Sequence, residues 1–267
     1  MRWWCGLFTG HYGLYGYGRA TNLCSDYDFL GSRSHGGYSE YVLSPIRNLI
    51  KIPENLNNDL AVFTEPASVA LHAYNVAKKD RKFDTVIILG LGPIGILLAS
   101  WCKLNKIKNV IGVDRNQNRF KNFKDLGFKN IIDTNKDNFS SRLNDFTSNK
   151  GVEIAFECSG SVELFNKGIL SLGKGGKVVV LSNQTKDVTL NQKVLNKFLR
   201  QEIKIVGSWS SVIDPHNEWL ETLVMLNSEK LLIKGLISHK YKFSDAKNIF
   251  SDLFEKRFKY SKVLLQP

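Results

Sequence analysis

The stretch Val86-Ile87-Ile88-Leu89-Gly90-Leu91-Gly92-Pro93-Ile94-Gly95 decides the fold of this 267-residue chain. Its first four residues are apolar and predict a buried strand. The three glycines that follow have the spacing G-x-G-x-x-G, and Pro93 stands where a helix would begin. A strand, a glycine turn and a helix in this order predict the first unit of a Rossmann-type domain.

Each part of this turn has its own physical role. Gly90 would permit the tight turn, Gly92 would let a pyrophosphate approach the backbone, and Gly95 would let the helix pack closely on the strand. The helix start at Pro93 and Ile94 would offer N–H groups and a positive dipole end to the phosphates. We therefore predict that these five residues bind a dinucleotide cofactor.

Asp114 stands about twenty residues further on, at the end of the next predicted strand. A carboxylate there accepts hydrogen bonds from both hydroxyls of the adenosine ribose and repels a 2′-phosphate, so we predict NAD as the cofactor. Arg115 argues against the choice of NAD over NADP, because an arginine beside this position can accommodate a 2′-phosphate. The alternative interpretation is a glycine-rich turn followed by an unrelated surface aspartate.

From about Phe83 onward, β-branched runs alternate with amphipathic segments, a pattern that predicts an α/β fold with a doubly wound parallel sheet. The six predicted strands are Val86–Leu89, Val110–Val113, Ile131–Asp133, Val152–Glu157, Lys177–Leu181 and Ile203–Val206. The predicted helices between them are Ile94–Leu104, Arg119–Leu126, Val162–Leu172 and Val194–Arg200.

The sequence on either side of this region has a different pattern. Short alternating segments such as Tyr38–Leu43 predict a β-rich part, followed by a helix at Val69–Ala77. The C-terminal part predicts helices at Glu218–Leu226 and Asp245–Phe254 and a strand at Lys262–Leu265. We expect three parts, residues 1–75, 76–210 and 211–267.

Composition argues against several classes of protein. The net charge is +12, but the lysines are scattered and form no basic run, so we expect no nucleic-acid partner. The four cysteines are far apart, which favours a reducing cytoplasm. The apolar stretch 85–101 carries three glycines and a proline, which favours a strand, turn and helix over a membrane span, and we expect no membrane association.

The chain resembles the zinc-dependent medium-chain dehydrogenases, and within them the polyol group. The resemblance covers residues 22 to 267 and is carried by a run over 22–33 (NLCSDYDFLGSR) and by five short motifs. These motifs are Gly36-Gly37-Tyr38-Ser39-Glu40-Tyr41, Glu65-Pro66, Leu71-His72-Ala73, Glu157-Cys158-Ser159-Gly160 and Val206-Gly207-Ser208-Trp209. The resemblance implies a Rossmann domain beside the remnant of a GroES-like, β-rich catalytic domain, and a homo-oligomer.

The resemblance also implies an activity and further site residues. The activity would be NAD-dependent oxidation of a secondary alcohol, in a polyol or a polyol phosphate such as galactitol 1-phosphate, to a ketone. Glu65 would reach a catalytic zinc that acts as a Lewis acid, and Arg119 would help to hold the adenosine end of NAD. A helix-start carboxylate and a solvated helix arginine are the alternatives for these two residues.

The chain departs from the family pattern near its N-terminus. The upstream zinc ligands of the family, a cysteine followed by Gly-x-Asp and then a Gly-His-Glu motif, have no counterpart. Of the four cysteines of the structural zinc site only Cys24 is present, and one thiolate cannot hold zinc. Residues 1–20 match nothing, so we expect an N-terminally truncated chain. The alternatives are an NAD-binding chain without catalysis, a sorbitol- or threonine-type dehydrogenase and a zinc-free reductase.

Overall fold

The computed structural model describes residues 3–5, 8–10, 21–24, 27–214, 216–233 and 235–266. The chain divides into two units. The larger comprises Glu65–Ser211 and Ser228–Leu232, and the smaller comprises Met1–Thr64, Val212–Asn227 and Ile233–Pro267. The functional boundaries expected after residues 75 and 210 stay predictions.

Strands and helices alternate regularly in the larger unit. The strands of the described residues are β1 (Trp3–Cys5), β2 (Phe8–Gly10), β3 (Tyr27–Phe29), β4 (Leu49–Lys51), β5 (Thr85–Leu89), β6 (Asn109–Asp114), β7 (Asn130–Asp133), β8 (Val152–Glu157), β9 (Leu172–Val180), β10 (Lys204–Gly207), β11 (Ile237–Lys242) and β12 (Lys262–Gln266). Their α-helices are α1 (Asn58–Ala61), α2 (Thr64–Lys78), α3 (Pro93–Leu104), α4 (Gln117–Asp125), α5 (Phe139–Thr147), α6 (Val162–Ser171), α7 (Gln192–Arg200), α8 (Glu218–Asn227) and α9 (Ala246–Phe254).

The larger unit is built on a six-stranded sheet in the order β7-β6-β5-β8-β9-β10. Every neighbouring pair in it is parallel. Counted along the chain from β5, this is the order 3-2-1-4-5-6 of a doubly wound dinucleotide-binding fold. The predicted fold class is confirmed.

The sheet supplies the core of this unit. Its central strands are mainly apolar, and Val86 to Leu89 of β5 are fully buried. A strand that is covered on both faces has a continuous apolar sequence, and this pattern predicted strand β5. The core continues through Ile111 and Val113 of β6 to Ile154 of β8.

The strand order creates a crevice between β5 and β8. These strands are neighbours, and Leu89 at the end of one pairs with Glu157 at the end of the other. The chain leaves β5 towards β6 on one side and leaves β8 towards β9 on the other. The carboxyl ends of two strands at such a reversal are where ligands bind in open α/β sheets.

One local expectation was wrong, and one helix was not anticipated. Tyr38–Leu43 contains bends and irregular backbone instead of a strand, and Tyr41 and Leu43 are both exposed. A strand needs a hydrogen-bonded neighbour, and among the described residues none pairs with this segment. Helix α5 was missed because its sequence is rich in Ser, Asn and Asp. The side chain of Asn138 caps it by accepting a hydrogen bond from the Ser141 N–H.

The smaller unit contains short strand pairs. Strands β1 and β4 pair antiparallel, as do β2 and β3, whereas β11 and β12 pair in parallel. Tyr38 lies against Phe250, with the ring centroids 5.5 Å apart. Across the described part of the chain, no helix has both the length and the apolar character needed to cross a bilayer.

Candidate functional site

A pocket of about 700 Å³ lies at the carboxyl ends of the strands of the larger unit. Gly90, Gly92, Asp114 and Arg119 line one side of it, and residues 158–164, with Thr185 and Lys186, line the other. The pocket therefore stands at the reversal between β5 and β8, where the sheet topology predicts a ligand.

The turn after β5 depends on its glycines for separate reasons. Gly90 has a φ of +99°, which favours glycine, and its N–H donates to the Val113 carbonyl at 2.8 Å. A Cβ on Gly95 would lie 2.0 Å from the Gly90 carbonyl oxygen, so no side chain fits there. A Cβ on Gly92 would meet no protein atom within 4 Å. The second glycine thus faces open space in the pocket.

Helix α3 begins at this turn without a side-chain cap. Gly92 is its N-cap residue, Pro93 is its first residue, and Pro93 and Ile94 are half-buried. Helices α4, α5, α6 and α7 are capped instead by side chains of Asn116, Asn138, Ser161 and Asn191. The first N–H groups of a helix need a partner, and an anion can supply it.

The Asp114 carboxylate is held firmly at the end of β6. It is almost fully buried and accepts hydrogen bonds from the N–H groups of Leu91, Arg115 and Asn116, each at 2.8 Å. The Arg119 guanidinium lies 3.1 Å from the same carboxylate. The three backbone donors are part of the turns after β5 and β6, whereas the Arg119 side chain is 41% exposed.

A second buried carboxylate, Glu157, lies at the end of β8. It accepts hydrogen bonds from the Ser159 N–H at 2.8 Å and from the Gln184 side-chain amide at 2.9 Å. Its motif, Glu157-Cys158-Ser159-Gly160, is one of those that carry the family resemblance, but no role for Glu157 was predicted. The signal that could have found it is its position at the end of a strand beside the topological reversal.

Cys158 lines the pocket next to Glu157. Burial is the largest cause that raises the pKa of its thiol well above the usual value, and the Glu157 carboxylate raises the pKa further. A thiol with a raised pKa is a weak nucleophile at neutral pH. The raised pKa therefore predicts that little of the Cys158 thiol is ionised at neutral pH.

Glu65 lies apart from this lining. It is half-buried in the first turn of α2, and its carbonyl oxygen accepts a hydrogen bond from the Ser68 hydroxyl at 2.7 Å. Cys24, the other predicted metal ligand, is buried in the smaller unit. Within the described residues, no three His, Cys, Asp or Glu side chains are grouped to hold a metal ion. The described residues do not fit a zinc site.

Comparison with known proteins places this fold and pocket in a family. A family model for zinc-binding dehydrogenases matches residues 93–228. Sorbitol dehydrogenase of Halalkalibacterium halodurans is 30% identical over 249 residues, which cover 92% of this chain and 70% of that enzyme. Galactitol 1-phosphate 5-dehydrogenase of Escherichia coli is 26% identical over 91% of this chain and 70% of its own length.

A solved structure shows the same fold. The crystal structure of galactitol-1-phosphate dehydrogenase from Escherichia coli superposes with a TM-score of 0.84 at 24% identity, over 92% of this chain and 71% of that one. The relatives are oxidoreductases that act on alcohols, as the resemblance in sequence implied. The family model and the sorbitol dehydrogenase match together show that this chain belongs to the zinc-binding dehydrogenases.

Proposed function

We propose that this chain binds NAD(H) in the pocket beside β5 and serves an alcohol dehydrogenase reaction, in which a secondary alcohol of a polyol or polyol phosphate becomes a ketone. The observation that carries the proposal is the fixed Asp114 carboxylate beside an uncapped, glycine-lined helix start. The polyol substrate is suggested by the sorbitol and galactitol 1-phosphate dehydrogenases among the relatives.

The pyrophosphate of the cofactor would bind at the start of α3. The open face of Gly92 leaves room for it, and the helix N-terminus offers N–H donors and a positive dipole end. Pro93 contributes no N–H but presets the first helical φ, and Gly95 keeps α3 close to the turn. These residues bind and orient the cofactor.

Asp114 favours NAD over NADP. Because three backbone N–H groups hold its carboxylate, the negative charge stays where the adenosine ribose hydroxyls would bind. A ribose hydroxyl would take the place of the Arg119 guanidinium, which is the exposed partner. Arg119 would then remain beside the adenosine. A 2′-phosphate would instead meet a carboxylate that cannot turn away.

When bound, the dinucleotide would supply hydride transfer, in which the carbinol carbon of the alcohol loses a hydride to the nicotinamide and the alcohol oxygen loses its proton. Glu65 offers one carboxylate for a metal ion, but zinc takes at least three protein ligands in catalytic sites. The described residues therefore account for cofactor binding and not for activation of the alcohol.

A second candidate function follows from this last observation. The chain would bind the dinucleotide without turning over an alcohol, because the described residues lack a ligand set for zinc. The fold and the pocket serve this function equally well. Only a turnover measurement separates the two.

The experiment measures binding and turnover on one preparation. NADH binding is measured by calorimetry, and zinc content by elemental analysis. Reduction of NAD is followed with galactitol 1-phosphate, sorbitol and threonine, with and without added zinc. NADH binding together with turnover of a polyol supports the dehydrogenase, and binding without turnover supports the second candidate. Absence of NADH binding contradicts both.

A further inference from the structure

We propose that Glu157 is a positioning residue of the cofactor pocket, which holds together the two loops that form the side of the pocket opposite Asp114. The first loop, residues 158–161, follows β8, and the second loop, residues 182–186, follows β9. Both contribute to the pocket lining. The inference rests on the proposed function, because it assigns Glu157 a role in binding the dinucleotide.

The Glu157 carboxylate accepts hydrogen bonds from both loops. On Oε1 it receives the Ser159 N–H at 2.8 Å, the Ser159 hydroxyl at 2.5 Å and the Gly160 N–H at 3.1 Å. On Oε2 it receives the Ser182 hydroxyl and the Gln184 side-chain amide. Oε1 therefore accepts hydrogen bonds mainly from the first loop, and Oε2 accepts them mainly from the second loop.

Direct hydrogen bonds also join the two loops. The Gly160 N–H also donates to the Ser182 hydroxyl oxygen at 2.9 Å, and the Thr185 hydroxyl donates to the Gly160 carbonyl at 3.1 Å. Gly160 has a φ of +68°, and a Cβ on it would lie 2.7 Å from the Asn183 carbonyl oxygen. The loops thus approach as closely as their backbones allow.

Burying a carboxylate costs free energy unless hydrogen bonds replace the water that it loses. Glu157 is fully buried, and such a carboxylate is tolerated when hydrogen-bond donors surround it. Without it, the Ser159 N–H and three side-chain donors would lose this acceptor, and the Gly160 N–H would keep only the Ser182 hydroxyl. Water would have to enter, and the loops would separate for part of the time. The apparent dissociation constant for a ligand rises in inverse proportion to the fraction of molecules with an intact pocket.

The chain offers a matched control on the same strand. Glu153 stands four residues before Glu157, about 13 Å away at the opposite end of β8. Its carboxylate also accepts several hydrogen bonds, from Arg81 and from the N–H groups of Asp84 and Thr85. It therefore supports the fold without bordering the pocket.

The test compares the NADH dissociation constant and the melting temperature of E157A, S182A, E157Q and E153A with those of the unaltered chain. If one molecule in ten keeps an intact pocket, E157A weakens NADH binding about tenfold. S182A weakens it less, and E153A lowers the melting temperature without changing the dissociation constant. E157Q recovers part of the affinity, because its amide can donate to Gln184 Oε1, which has no partner among the described residues.

Four outcomes would overturn the proposed role of Glu157 or the proposed function. A folded E157A that binds NADH as tightly as the unaltered chain overturns the inference, and so does an E153A that loses as much affinity as E157A. Should E157A fail to fold, an unchanged dissociation constant in S182A overturns it. Failure of the unaltered chain to bind NADH overturns the proposed function itself, which distinguishes the two.

Discussion

Replacing Gly92 with alanine should strongly weaken cofactor binding while leaving the fold intact. The added Cβ would meet no protein atom within 4 Å, so the protein itself does not resist it. Alanine is a poorer N-cap residue than glycine, so we expect this substitution to lower the free energy of unfolding by less than about 1 kcal/mol. The methyl group would instead occupy space that the pyrophosphate requires.

The loss in affinity follows from the hydrogen bonds that the phosphate would lose. A hydrogen bond to a charged group contributes about 1.5–3 kcal/mol. Moving the pyrophosphate away from one backbone donor should therefore weaken NADH binding about ten- to a hundredfold. Binding is measured by calorimetry, and stability by urea unfolding of the same samples.

Gly207→Ala is the matched control for this change. A Cβ there also meets nothing within 4 Å, but Gly207 is in β10, outside the pocket lining. We expect both NADH affinity and stability to stay within a small factor of the unaltered values. An unchanged affinity in Gly92→Ala, or an equal loss in both variants, would refute the assignment of the open face of Gly92 to the pyrophosphate.

Three further predictions concern the same unit. Gly95→Ala should lower both stability and NADH affinity, since its Cβ would lie 2.0 Å from the Gly90 carbonyl oxygen; a stable variant in urea unfolding would contradict this. Lys177→Met should cost about 1.5–3 kcal/mol in urea unfolding, because the buried ammonium donates to the Val76 and Ala77 carbonyls at the end of α2. NADH affinity should remain unchanged. At pH 8, iodoacetamide should label Cys158 far more slowly in the folded protein than in urea, because its raised pKa leaves little thiolate; equal rates by mass spectrometry would contradict this.

The sequence predicted the central unit well because local pattern and burial agree there. The run at Val86–Leu89 is apolar because both faces of that strand are covered, and the glycine turn after it indicates where the strand ends and the helix begins. The end of helix α6 was harder to place. Strand β9 begins at Leu172, directly after it, and not at Lys177 as the apolar pattern suggested.

The polar details of the site could not be predicted from local sequence. Asp114 was expected to face the ribose, but its hydrogen bond from the Leu91 N–H arises from the packing of two turns that are 23 residues apart in sequence. The contacts of Glu157 with Ser182 and Gln184 join segments about 25 residues apart, and only the strand order brings them together. The spacing of these residues along the sequence does not by itself indicate that they are in contact.

The most direct test of the central claim is a calorimetric titration of the purified chain with NADH and, separately, with NADPH. The fixed Asp114 carboxylate predicts that NADH binds at one site per chain and at least about tenfold more tightly than NADPH, a difference of about 1.4 kcal/mol. Equal or tighter binding of NADPH would mean that Arg115 and Arg119, and not Asp114, determine the cofactor. Binding of neither would contradict the dinucleotide site altogether.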